Sequence, residues 1–555
     1  MPPNRVRISL RWSRNRQSMP LLPGFHASPW FVEQVHETWL VPDVRAVLNA
    51  PLAFDPAKPT RLVVFTTPNG NTIEQTLGSQ LSEKANKTDW HFDIQHVAAQ
   101  IRLLREQTPG ENIALACLEA TGLSWPAWRQ KHLDNPALIR RFVDQLRALF
   151  PSPRVALTGH SGGGSFLFGF LNGGETIPDF VDTIGFLDAN YSYSDTDKHG
   201  DKLLTWLRGD KARRLTVLAY DDREITLSGK KVVGPEGGTF RATERMRVRF
   251  AKELPLTESK MGPVISQTGL EGQLALRVHQ NPKNRILHTA LVGEWNGLLG
   301  VLDPKQPFTE PRRYSKFIQP AAGIPPRRAS APGGSEIFAL LEKLTAAERE
   351  DVLAQELLRG NLPDFLRTFQ PVVLGSLTCY VLPDYLAIGS DTDFIRTPLT
   401  PMTAQLLADA FGCTLPTKLL VDAIYQQAML KLEPRPLTEA REAARTFVQH
   451  HKLIEEQRAG KPLGLLVAGI KKDVVLTNRL KEKPHKVAIY GWHKLDGQPI
   501  QPLTIVHRET YVDYSHGIRF VQRAALLKGK PCDLLALLHD PTLCMLLSDE
   551  GVLRD

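Results

Sequence analysis

The sequence predicts an α/β protein, a mostly parallel sheet flanked by helices, followed by a separate α+β domain. Three observations carry this. The chain has 555 residues, more than one hydrophobic core usually serves. Between residues 60 and 282, apolar strand-like runs alternate with amphipathic helical runs. Residues 303–335 then hold seven prolines, three glycines and six basic residues against two acids. Proline removes backbone donors and blocks helices, so this stretch reads as a linker. The expected organisation is a basic tail and lead-in (1–54), an α/β domain (55–302), the linker (303–335) and an α+β domain of unknown function (336–555).

The elements follow in order. TRLVVFTT (60–67) is apolar and β-branched, hence a strand. FDIQHVAAQIRLLREQ (92–107) places Ile94, Val97, Ile101 and Leu104 on one helical face. NIALACLEA (112–120) is a strand, and ALIRRFVDQLRALF (137–150) is a helix ended by proline. RVALTG (154–159) is a strand that runs into a helix beginning SFLFGFLNG (165–173). VDTIGFLDA (181–189) and RLTVLAYD (214–221) are strands, TERMRVRFAKEL (243–254) is helical, and LALRVHQNP (274–282) closes the series. Apolar strands alternating with helices imply a parallel sheet covered on both faces, with sites at the carboxyl ends of its strands. Beyond the linker, helices are expected at 336–346, 347–359, 403–412, 418–432 and 437–457. KVAIYGWH (486–493) and QPIQPLTIVH (498–507) are expected to be β structure around an Asp-Gly turn.

Composition narrows the function classes. Hydrophobic residues make up 42% and charged residues 23%, as in a globular protein. Five widely spaced cysteines without a CxxC pair suggest neither a zinc ribbon nor a disulfide framework. The net charge of +9 is modest, and residues 1–18 hold five arginines and no acid. Basic residues concentrate in the tail and linker, not in an aromatic-interleaved module, so no nucleic-acid partner is expected. No apolar run is long enough to span a membrane. No signal peptide is legible behind the basic start, which favours the cytoplasm and leaves export open.

The chemistry points to GHSGG (159–163), set between RVALT and SFLFGF. A phosphate-binding P-loop needs a lysine where Ser165 stands, and in a dinucleotide pattern begun by Gly162 and Gly164, Gly169 falls out of step. GHSGG does fit G-x-S-x-G, in which a serine is presented on a strained strand-to-helix turn with small neighbours. The N–H of Gly162 would face a developing oxyanion there. On this elbow and the order of elements, residues 55–302 resemble the α/β-hydrolase superfamily. The resemblance implies Ser161 as nucleophile, then an acid, then a histidine later in the chain. His288, beyond the last strand, suits the histidine, while His279 lies within that strand and reads as structural. Superfamily members most often carry the acid on the later strand, which ends in Asp221 and Asp222, and some lipases on the earlier one, which ends in Asp188. Asp188 is favoured, as a lone acid after an apolar strand, with Asp221 and Asp222 as alternatives. The second oxyanion donor is expected from Asn69, Gly70 or Asn71, although Pro68-Asn69-Gly70-Asn71 departs from the HGGG of many esterases and is strong turn chemistry by itself.

These residues make the chain a candidate carboxylesterase-like serine hydrolase. It would act on a small-molecule or polymer-linked acyl group without metal or cofactor, the C-terminal domain assisting substrate binding. Two other readings stay open. One is a non-catalytic binding protein on a degenerate hydrolase scaffold. The other is a second site at His493, His507, Asp513 and His516, with or without a metal, although no zinc spacing matches. His450 and His451 lie on a charged helix and read as solvated surface.

Overall fold

The structure is a computed structural model describing residues 21–28, 30–81, 87–303, 306 and 308–553. The basic stretch 1–18 lies outside them. The chain forms two compact units that divide between residues 321 and 322.

The first unit is built on an eleven-stranded sheet. In chain order the strands are β1 (His26–Ala27), β2 (Glu33–Leu40), β3 (Val44–Pro51), β4 (Thr60–Thr66), β5 (Asn112–Ala120), β6 (Arg154–His160), β7 (Val181–Leu187), β8 (Arg214–Tyr220), β9 (Thr257–Met261), β10 (Val264–Gly269) and β11 (Leu274–His279). Their order across the sheet is β1-β2-β3-β5-β4-β6-β7-β8-β11-β10-β9. The six strands from β5 to β11 run parallel, and antiparallel strands flank them on both sides.

Successive residues of a strand face opposite sides, so a strand apolar throughout feeds two cores. Leu62 and Val64 of β4 join one buried cluster, and Val63 and Phe65 the other. The first cluster is covered by helices α1 (Trp125–Lys131), α2 (Asn135–Arg147) and α3 (Gly164–Asn172), and the second by Val97–Gln107 and Gly297–Leu302. The helix expected from residue 92 begins only at Val97, because His96 takes φ 47°, which breaks the helical path.

The unit is larger than the 55–302 span read from the sequence. Residues 26–51 supply three strands rather than a lead-in. Residues 308–321, read as linker, pack into the unit: Phe308 and Tyr314 are buried, and Arg312 pairs with Asp93 at 2.6 Å. Two aromatic anchors outweigh the prolines, which only keep the segment from becoming helix.

The second unit is α+β. It holds a six-stranded sheet that includes Leu377–Val381, and a four-stranded one. The latter is formed by β12 (Lys472–Val474), β13 (Ile489–His493), β14 (Pro499–Thr504) and β15 (His516–Gly517), in the order β14-β13-β12-β15. Five helices, including α4 (Lys418–Gln427) and α5 (Ala444–Arg458), fall where the sequence places them, with shifted ends. His450 is a correction: it is fully buried, not solvated, because its spacing from Phe447 and Ile454 puts it on the inner face of α5. The five cysteines are free thiols.

Candidate active site

The carboxyl ends of β4, β6, β7 and β11 lead into the segments that carry Asn69, Ser161, Asp188 and His288. Ser161 takes φ 54°, a left-handed conformation that a non-glycine residue holds only under surrounding constraint. The glycines around it are required by close approach. A Cβ on Gly159 or Gly163 would collide with Thr66, and one on Gly164 with the Ala189 carbonyl. The Thr66 hydroxyl donates to the Gly163 carbonyl at 2.9 Å, tying the turn to β4.

His288 Nδ1 lies 2.5 Å from Asp188 Oδ2. Asp188 is buried, at φ 47°, with its N–H donating to Leu218 of β8 at 2.7 Å. Its other oxygen, Oδ1, accepts from the Thr239 hydroxyl. The other two acids are engaged elsewhere. Asp221 is held by Arg223 at 2.7 Å and 2.8 Å. Asp222 Oδ2 accepts the Thr239 N–H at 2.7 Å, at the start of the helix Thr239–Ala251. Burial and the neighbouring Asp188 charge push Asp222 up to about 6. The His288 side chain is 26% exposed, against 1% for Asp188, so the imidazole is anchored on one side and open on the other.

His160 is a neighbour that sequence reading missed. Its Nε2 donates to the His288 carbonyl at 3.0 Å, its Nδ1 meets the Gln95 side chain at 3.2 Å, and the two imidazole centroids are 4.5 Å apart. Burial keeps this ring well below the ordinary histidine range, hence neutral. The His288 backbone is thereby tied to the residue that precedes Ser161. Tyr191 was also missed; its hydroxyl interacts with the Ser161 side chain. The only sequence signal for it is its place three residues beyond Asp188.

The loop after β4 is sharpened. The Gly70 N–H donates to Leu123 at 2.8 Å and the Asn71 N–H to Pro68 at 3.4 Å, so both backbone donors are engaged within the loops. Gly70 takes φ 80°, which the turn demands. Asn69 instead sets its side chain directly against Gly162. A cavity of about 280 Å³ is lined by Asn69, Pro126, Ser161, Gly162, Ser165 and Tyr191, among others. His279, at the end of β11, stacks on Trp295 at 4.4 Å.

In the second unit the four residues of the other candidate site separate. His493 lies 3.1 Å from Asp422 on α4 and stacks on Tyr425. His507, Asp513 and His516 interact with one another instead. Among the described residues no group of three His, Cys, Asp or Glu is placed to hold a metal ion.

The strand order, with a serine at the turn from β6 into α3, makes the first unit an α/β-hydrolase-like domain. No protein-family model and no curated protein matches the chain in sequence. Several solved structures do match in fold. A cold-adapted esterase from an Arctic intertidal metagenomic library shares 12% identity over 45% of this chain and 84% of its own, at a TM-score of 0.25. A predicted CIB-like hydrolase from Thermoplasma acidophilum shares 8% identity over 48% and 95%, at 0.26. A glucuronoyl esterase from Solibacter usitatus shares 12% identity over 45% and 76%, at 0.25. Among the described residues, no helix is long and apolar enough to cross a membrane.

Proposed function

We propose that the first unit is a serine hydrolase that cleaves an ester or amide through an acyl-enzyme on Ser161. The observation that carries this reading is the His288 Nδ1–Asp188 Oδ2 contact of 2.5 Å, at the sheet end where Ser161 stands on its strained turn. A buried carboxylate on Nδ1 holds the proton there and leaves Nε2 as the base. Ser161 Oγ attacks the acyl carbon as His288 Nε2 takes its proton. The oxyanion that forms is met by the Gly162 N–H and the Asn69 side-chain amide. His288 then protonates the leaving group, and water, deprotonated by the same nitrogen, releases the acid. The cavity of about 280 Å³ is at the small end of ligand sites, which favours short acyl groups. The second unit is assigned no step in this chemistry.

A fluorophosphonate probe tests the reading. It is expected to label the parent protein and not Ser161→Ala, which also loses about 10⁴-fold or more of p-nitrophenyl acetate turnover. Equal labelling or turnover in the two proteins would overturn it.

A further inference from the structure

The second unit carries a buried polar cluster that this chemistry leaves unused. Strands β12 and β15 pair in parallel with Lys472 opposite His516, so the two side chains share one face. His516 is fully buried, and neither ring nitrogen has a hydrogen-bond partner. Lys472 is 6% exposed, its ammonium 5.7 Å from the Trp492 ring centroid. Among the described residues it makes no ion pair. The nearby anion, Asp513, is already saturated: it accepts from Arg441 at 2.7 Å, the Ser515 N–H at 2.9 Å and the Tyr511 hydroxyl at 3.1 Å. Lys471 is engaged as well, with the Tyr514 carbonyl.

A buried polar group without a partner is costly, so the two orphaned ring nitrogens of His516 call for one. His507 and Tyr511, stacked at 4.2 Å, and Arg441 are partly exposed, and the Tyr511 ring centroid lies 5.7 Å from that of the buried His516. Burial pushes Lys472 down and His516 down to about 4, more than the nearby Asp513 charge offsets. One unpaired ammonium beside one carboxylate accommodates a single negative charge; a phosphate dianion would face Asp513.

We propose that Lys472 and His516 form a binding site for the carboxylate of a small organic acid, the ammonium taking one oxygen and an imidazole N–H the other. The groups facing the ring are Asp513 and His507 from its own segment, Lys472 of β12 and Lys471 just before it.

The test is an NMR titration of the full chain, labelled at histidine Cε1, with sodium acetate against sodium chloride at equal ionic strength. Acetate is expected to shift saturably one resonance that is missing in His516→Gln. The midpoint should rise at least tenfold in Lys472→Met. A second readout covers a variant that fails to fold: acetate must raise the ring pKa of His516 in the parent, and chloride must not. No saturable shift, as for a pocket holding water only, would overturn the proposal. So would an equal response to chloride, an unchanged midpoint in folded Lys472→Met, or tighter binding of inorganic phosphate than of acetate.

Discussion

Asp188 and Asp222 follow adjacent strands and both accept from the Thr239 hydroxyl, yet Asp188 alone of the two holds His288. Substitution should therefore separate the three acids sharply. Asp188→Asn reverses the donor at His288 Nδ1 and should cost about 10³–10⁴ in kcat/KM toward p-nitrophenyl acetate. Asp221→Asn and Asp222→Asn should stay within about tenfold, since neither touches the imidazole. Loss of activity in Asp222→Asn with Asp188→Asn unaffected would reassign the acid. Sequence alone leaves these acids open because each follows an apolar strand. What distinguishes Asp188 is a left-handed turn and a hydroxyl 51 residues away. His160 was illegible for the same reason: its partner, the His288 carbonyl, is 128 residues distant.

At the scale of elements, the helix Thr239–Ala251 begins against the Asp222 carboxylate, which also meets a like charge in Asp188. The folded chain thus holds the Asp222 proton up to about 6, against an ordinary value of 3.8. The sign follows from proton binding. Between these two values the folded state binds more protons than the unfolded one, so stability falls as pH rises from about 4 to about 6. Asp222→Asn keeps an acceptor for the Thr239 N–H and removes the charge. Urea unfolding at pH 4 and pH 7 should show the variant gaining on the parent as pH rises, with a plateau above about pH 6.5. A constant difference across that range would mean that Asp222 titrates normally. Elements were legible where a continuous apolar run is bounded by polar residues, as in β5, whose bounds match NIALACLEA. They were not where a single residue breaks the path, as His96 does, or where short polar strands such as Thr257–Met261 owe their form to sheet pairing.

At the scale of the molecule, the two units divide between residues 321 and 322, inside the stretch that composition reads as a linker. A proline-rich stretch was read as a spacer, although its aromatic residues bind it to the first unit. The Tyr314 hydroxyl donates to the Gly293 carbonyl, Asn296 donates to the Thr309 carbonyl at 2.7 Å, and Arg102 to the Phe317 carbonyl at 2.9 Å. Gly293 and Asn296 belong to the stretch that follows His288, so residues 308–321 staple the segment that carries the proposed base. Full burial of Phe308 and Tyr314 is worth about 1.5–3 kcal/mol each, a large share of a typical domain's 5–15 kcal/mol. Residues 26–51 matter as much: β3 covers the edge of β5 over Leu115–Ala120, and its removal would bare an apolar edge strand. A chain cut to 19–321 should therefore stay monodisperse and keep Ser161-dependent fluorophosphonate labelling. A chain cut to 55–302, the span that composition alone selects, should aggregate or lose labelling. If the shorter chain labelled as well as the longer, the two flanking segments would be dispensable, and the site would rest on the parallel strands alone.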